Sequence, residues 1–341
     1  MARDYAQLLK YVFKANSIRF AFRTILPSVG LCLSKKALPP SDKPALCTMN
    51  ILPPMMTVWH HFARKNIGDG ADIVLFDCTG RIDAKEFPGT LVFPFLNLYA
   101  ATKCDIFIRD IAKNRKTAWI CDDDMFLMSP DCLPILTREF AVPKTASVSF
   151  RPREWWEFEI GGKRHPVSSS YCTAFDRDIF MREKLSLAPA GGNTHPGTLN
   201  KPPSRYDTFD KANEILLTKG YRCAIVSAEE RERCVAEFSG LSGAVMLLHH
   251  FRSAEETLDY FRTPPPEKWR SNLLFGVMSA MLSVCTIQEL YTRLKGAPYL
   301  LPSLPKKEDL LKILEERKDE LRPDQTLDAV ERTSRRLHEA L

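Results

Sequence analysis

The chemistry of this chain concentrates where an apolar run breaks into three carboxylates: Lys116-Thr117-Ala118-Trp119-Ile120-Cys121-Asp122-Asp123-Asp124-Met125-Phe126-Leu127-Met128-Ser129-Pro130. A short apolar run of this kind reads as a buried strand. Three adjacent acids at its end repel one another and lose hydration unless a cation neutralises them. Oxygen donors suit a hard divalent ion, Mg²⁺ or Mn²⁺, shared with the phosphates of a substrate. A solvated acidic turn would also carry three acids, but such a turn has no reason to be bracketed by Trp-Ile-Cys and Met-Phe-Leu.

Other residues could join this chemistry. Asp77 closes the apolar run Asp72–Asp77 and is followed by Cys78-Thr79-Gly80-Arg81. Asp207 and Asp210 precede the stretch Lys211–Lys219, with Gly220-Tyr221-Arg222 after it. An acid at a helix start caps the helix and complements its dipole, which is a structural role open to both. His249-His250 ends an apolar run, where an imidazole either ligates metal or is merely hydrogen-bonded. Trp155 and Trp156 follow a strand and offer faces on which the C–H surface of a sugar could stack. They could equally belong to the core, and adjacent residues of a strand face opposite ways, so at most one would line a site.

A strand, then Asp-x-Asp, then an apolar residue and Ser-Pro resembles the metal and nucleotide motif of GT-A glycosyltransferases of the family-2 type, with Asp122 and Asp124 as the two acids. The resemblance spans roughly residues 45–262 in motif order and spacing. It implies a metal-dependent enzyme that moves a sugar from a nucleotide-sugar donor to a glycan or lipid-linked acceptor, with Mn²⁺ or Mg²⁺ as cofactor. Asp124 would ligate the metal, Asp122 would contact metal or ribose, and Asp123 would lie with them at the nucleotide. Asp77 would face the nucleobase, Arg81 would reach a phosphate, and Trp155 and Trp156 would meet the acceptor. One of His249 and His250, carried here as His250, would complete the metal shell. Asp207 or Asp210 would be the base of an inverting reaction. The family pattern has adjacent acids where this chain separates them by two, so spacing does not choose between them. Two readings of other classes stay open. A metal-dependent phosphohydrolase would open on an apolar strand and Asp-x-Asp, and here Thr79 replaces the second acid after Asp77. A sugar-nucleotide-binding protein without turnover would have been free to lose Asp122 and Asp124.

These residues need a frame. Ala45–Ile51 and Asp72–Asp77 read as strands, with a helix from Pro53 to about Asn66 between them, and a further helix over roughly Leu96–Asn114 leads into the acidic strand. Strands are also expected at Ala146–Phe150, Ser168–Phe175, Arg222–Val226 and residues 243–248, and helices at Asp176–Leu185 and up to Lys219. Alternating β and α units imply an α/β fold with a mostly parallel central sheet and helices on both faces, GT-A-like by the resemblance. Ligands of such sheets sit at the carboxyl ends of the strands, where Asp77 and Asp122–Asp124 fall. Residues 188–206, rich in Gly and Pro, read as a long loop of the functional or mobile kind, a lid over the donor around Gly191–Pro203.

Composition bounds the rest. The chain has 341 residues, 45% hydrophobic and 26% charged, which fits a soluble globular protein of one large domain with appendages. Its ten Cys show no C-x-x-C and no His-Cys ligand spacing, which points to a reduced compartment, and no secretory signal opens the chain. Residues 1–45 hold eight basic and two acidic side chains, a surplus equal to the formal net charge of +6. A basic arm on a neutral body is not the footprint of a nucleic-acid binder. The arm, residues 1–44, is amphipathic and suits either an anionic membrane surface or packing on the domain. The expected organisation is thus an arm (1–44), a catalytic domain (45–262) and a helical region (263–341), in a cytoplasmic protein able to associate peripherally with a membrane. Ser271–Gln288 carries no charged residue but includes Ser, Asn, Thr, Gln and Gly, and reads as a buried or interfacial helix rather than a span.

Overall fold

The computed structural model describes residues 30, 36–95, 100–188, 206–270, 272–323, 325 and 327–341, and of these it leaves the side chains of 50, 154–156 and 272 undescribed. The lid expected around Gly191–Pro203 and most of the basic arm lie outside the described residues. The chain forms two compact units. One holds Phe62–Val235 with the stretch up to Asn50, the other Ile51–His61 and Ala236–Leu341.

In the first unit, elements alternate as the sequence predicts. They are β1 (Ala45–Asn50), α1 (Pro53–Ile67, which begins in the other unit), β2 (Asp72–Asp77), β3 (Thr90–Pro94), α2 (Ala100–Ile106), β4 (Thr117–Cys121), β5 (Met125–Leu127), α3 (Cys132–Ala141) and β6 (Thr145–Ser149). There follow β7 (Pro152–Ile160), β8 (Lys163–Ser168), β9 (Cys172–Asp176), α4 (Arg177–Arg182), α5 (Asp210–Thr218), β10 (Arg222–Ile225) and α6 (Ala228–Cys234). Seven strands make one sheet in the order β10-β6-β9-β4-β1-β2-β3. All neighbours pair in parallel except β9, which runs antiparallel to both β4 and β6. The fold is therefore mixed α/β with a mostly parallel central sheet flanked by helices. Leu46, Cys47, Val74, Leu75, Trp119 and Ile120 are all buried, as unbroken apolar runs in a doubly covered sheet require. The chain leaves β1 towards β2 and β3, then returns to place β4 on its other side. The switch in strand order between β1 and β4 opens the crevice in which ligands of such sheets bind.

The β7–β8 hairpin fills a stretch for which the sequence predicts no element. Gly161 and Gly162 adopt φ of 60° and 73°, the left-handed pair that a two-residue turn of matching twist requires. The single strand expected over Ser168–Phe175 divides accordingly into the end of β8, a turn and β9. Phe158, Val167 and Tyr206 form the hairpin's own buried cluster.

The second unit is helical from α7 (Leu241–His250) through α8 (Ala254–Arg262), α9 (Pro266–Trp269), α10 (Asn272–Lys295), α11 (Lys307–Glu316) and α12 (Asp328–Ala340). The strand expected at 243–248 is helix α7. A run of Ala, Val, Met and Leu satisfies either period over so few residues, and Gly240 at φ 73° sets the helix start. Helix α10 is long and apolar enough to cross a membrane, yet 72% of its apolar window is buried inside the protein. The Thr286 and Ser334 hydroxyls share a 2.8 Å hydrogen bond, and the Cys285 thiol donates to the Pro305 carbonyl, so these two of its polar positions are met by neighbouring segments.

Candidate active site

The acidic cluster sits just past the end of β4. The strand runs out at Cys121, and the Asp122 N–H turns sideways to donate to the Tyr171 carbonyl at 2.7 Å. The Met125 N–H then closes a tight turn onto the Asp122 carbonyl at 3.0 Å. β5 anchors the far side: the Asn66 amide donates to the Leu127 carbonyl at 2.8 Å, and Phe62 meets Phe126 edge-on. The apolar flanks noted in the sequence thus clamp a turn made of carboxylates. Asp123 is 7% exposed, while Asp122 and Asp124 are half-buried. Burial first, and then the neighbouring Asp124 charge, push the Asp122 carboxyl well above the usual carboxylate range, against the pull of Lys103 and Arg151.

Lys103 and Arg151 carried no signal in the sequence. Lys103 looked like one polar position in a helix, but it is buried on α2 and its ammonium donates to the Cys78 thiol at 3.2 Å. Arg151 lies with its guanidinium 5.0 Å from the centre of the Tyr171 ring. Among the described residues, no group of three His, Cys, Asp or Glu side chains stands ready as a metal shell. The donor set that exists is two carboxylates whose charges oppose each other. It fits a hard cation held from one side, with phosphate and water oxygens supplying the remaining positions.

Asp77 has a different task from the one expected. Its Oδ1 accepts from the Thr79 N–H (2.9 Å), the Thr79 hydroxyl (2.6 Å) and the Gly80 N–H (3.0 Å), and its Oδ2 accepts from the Ile82 N–H (3.1 Å). At 1% exposure it organises the loop after β2 rather than presenting an oxygen to a base. The same geometry argues against the phosphohydrolase reading, since a nucleophilic Asp must offer a free oxygen. Arg81 is exposed on that loop, and its N–H donates to the Thr79 hydroxyl at 3.1 Å.

Asp207 and Asp210 also part company. Asp210 opens α5, is fully buried and uses both oxygens: Arg153 Nε donates to Oδ1 at 2.7 Å, and the Asp207 N–H donates to Oδ2 at 2.8 Å. Its carboxyl is raised by burial, with Arg153 opposing. Neither acid is the N-cap. That position is Phe209, buried, with φ 74° and its ring 4.8 Å from that of Phe175. A left-handed aromatic residue is strained and persists only where packing over-determines it. Asp207 keeps 48% of its side chain exposed, with Oδ2 3.7 Å from Arg153. Of the two acids, only Asp207 offers a carboxylate outward.

The acidic turn and the turn before β9 meet at the Tyr171 carbonyl, which accepts the Asp122 N–H at 2.7 Å. The Tyr171 phenol is raised by burial, and it feels Arg153, Arg151, Asp122 and Asp207. The antiparallel β9 makes this possible, because the turn that precedes it lies against the exit of β4.

His250 and His249 end helix α7, not a strand. Trp155 and Trp156 lie on β7 where its pairing with β8 loses register, between Arg153 and Glu157, and their side chains are outside what is described.

No protein-family model and no curated protein matches the chain. Solved structures do. Mannosyltransferase PcManGT from Pyrobaculum calidifontis, in complex with GDP-Man and Mn²⁺, is 14% identical over 98% of this chain and 96% of its own, with a TM-score of 0.40. A cytidylyltransferase from Leptospira borgpetersenii serovar Hardjo-bovis is 8% identical over 84% of this chain and 98% of its own, at 0.35. S. aureus TarS 1-349 is 8% identical over 81% and 91%, at 0.32. Likenesses this distant establish neither a family nor an activity for the chain.

Proposed function

We propose that this protein is a metal-dependent glycosyltransferase that moves a sugar from a nucleotide-sugar donor to a glycan or lipid-linked acceptor with inversion. The observation that carries the reading is the acidic turn at the carboxyl end of β4, pinned by the Asp122 N–H on the Tyr171 carbonyl, together with the exposed carboxylate of Asp207 beside Arg153. Inverting transfer needs a site for the leaving diphosphate beside a carboxylate that accepts the acceptor's proton. Asp122 and Asp124 would hold Mn²⁺ or Mg²⁺, which when bound supplies charge stabilisation for the departing diphosphate. Lys103 and Arg151 add fixed positive charge around the acidic turn. Asp207, with 48% of its side chain exposed, is the carboxylate able to receive a proton. His250 has no part in this reading, and Asp77 supports it only by shaping its loop.

The test is thermal unfolding with UDP, GDP and CDP and their sugar conjugates, GDP-mannose among them, with and without Mn²⁺. At least one nucleotide should raise the melting temperature only when Mn²⁺ is present. Asp124→Asn should abolish that rise while leaving the ligand-free protein equally or more stable, because it relieves like-charge repulsion. A full Mn²⁺-dependent rise in Asp124→Asn, or none for any nucleotide in the wild type, would overturn the assignment.

A further inference from the structure

The sequence singles out two acids around the start of α5 and no partner for them; the structure adds Arg153. Its side chain is 6% exposed, with Nε on Asp210 Oδ1 at 2.7 Å, Nη2 3.7 Å from Asp207 Oδ2, and Nη2 donating to the Thr208 carbonyl at 3.0 Å. One guanidinium therefore spans the whole Asp207–Asp210 turn. The turn is fixed from below by Phe209 on Phe175, and Phe209 N–H donates to the Leu187 carbonyl at 3.0 Å. Arg153 reaches the turn from the point at which β7 slips its pairing with β8, and bulges of this kind re-aim side chains.

We infer that Arg153 is a positioning residue: anchored on Asp210, it holds the carboxylate of Asp207 in place as the proton acceptor of the transfer step. This rests on the glycosyl-transfer reading above. In that step the acceptor oxygen bonds to the anomeric carbon and the bond from that carbon to the diphosphate oxygen breaks. The electron pair leaves with the diphosphate, and the hydroxyl proton passes to Asp207. Among the described residues, the ionisable groups around Asp207 include Arg153 from β7, Asp210 from α5, and Tyr171, with Arg151 stacked on it. Arg153 is in ion-pair contact with Asp207 Oδ2 at 3.7 Å while Asp207 Oδ1 accepts from the Thr208 N–H at 2.8 Å, and Asp210 keeps Arg153 there. Asp210 is then the anchor and not the base.

Removing only one member of a buried ion pair strands the other's charge and endangers folding, whereas removing both is tolerated. The deciding variant is therefore Arg153→Gln combined with Asp210→Asn, with Arg153→Lys as the charge-conserving control. Transfer is followed from pH 5 to 9 with GDP-mannose, UDP-glucose and UDP-N-acetylglucosamine as donors, alkyl glycosides as acceptors and Mn²⁺ present. The double variant should lose roughly tenfold or more in kcat, within the span of about 10²–10⁴ that general-base removal costs. Its KM for donor should stay within twofold. Arg153→Lys should keep most of the wild-type kcat. Adding the double change to Asp207→Asn should cost nothing further, since groups that act through one residue are not additive. A wild-type kcat in the double variant, or a full extra loss on top of Asp207→Asn, would overturn the inference while leaving the transferase reading intact. Absence of transfer by the wild type with every donor would overturn both.

Discussion

At the residue scale, the candidate site separates acids that keep accessible surface from acids that are enclosed by their partners. Asp77 and Asp210 are buried to 1% and 0% and spend their oxygens on neighbours, whereas Asp122, Asp124 and Asp207 keep accessible surface. All five looked alike in the sequence, because an acid at the end of a strand or the start of a helix serves structure and chemistry equally well. What distinguishes them is the partner, and the partners come from elsewhere in the chain: Arg153 for Asp210, Lys103 for the surroundings of Asp122. Asp77 is the exception, since its partner Thr79 is two positions away. The loop organised by that pair makes a direct prediction. Thr79→Val removes a buried hydroxyl that donates to Asp77 at 2.6 Å and accepts from the Arg81 N–H. Urea unfolding should show a loss of about 1–3 kcal/mol, while the Mn²⁺-dependent nucleotide rise persists. Unchanged stability with a lost nucleotide response would show instead that this loop reads the ligand through Thr79.

At the scale of elements, strand ends supply the site and a charge network steadies the far edge of the sheet. Arg138 of α3 donates to Glu230 of α6 at 2.6 Å, and Arg222 of β10 pairs with Glu139 of α3. Arg138 holds the Glu230 carboxyl down to about 2, and Arg222 with Arg138 overcomes the burial of Glu139 and lowers it as well. Lowered acids add stability that is present above the ordinary Glu range, about 4.3, and lost as pH falls through the folded-state value. Partly exposed pairs of this kind contribute about 0.2–1 kcal/mol each. Glu230→Gln should therefore unfold at lower urea than the wild type at pH 7, and the gap should close near pH 2. A gap that persists at pH 2 would mean that the side chain acts by packing and not by charge. The strands β1, β2, β4 and β6 were legible because buried parallel strands are unbroken apolar runs between turn signals. The β7–β8 hairpin was not, since its strands alternate charged and aromatic residues and only Gly161-Gly162 hints at a turn. Helix α7 was misread as a strand because its apolar run was too short to show a period.

At the scale of the molecule, the sequence pattern yielded the layered α/β order but not the reversed direction of β9, which depends on pairing and leaves no mark on composition. That reversal is what lays the Tyr171 turn against the acidic turn, so the convergence of the site was beyond reach of motif spacing. The charge asymmetry of the chain is plain in sequence, and residues 36–44 already belong to the folded body: Leu38 is 3% exposed and its N–H donates to the Ile111 carbonyl. The central claim is that the acidic turn and Asp207 serve one reaction. It is tested most directly by measuring nucleoside diphosphate release and nucleotide binding side by side in three proteins, the wild type, Asp124→Asn and Asp207→Asn. With Mn²⁺, a nucleotide sugar and an alkyl glycoside, Asp124→Asn should lose both binding and release. Asp207→Asn should bind like the wild type yet release diphosphate at least about a hundredfold more slowly, and the wild-type product should carry an inverted anomeric centre. Release at the wild-type rate by Asp207→Asn, or a product of retained configuration, would contradict the account.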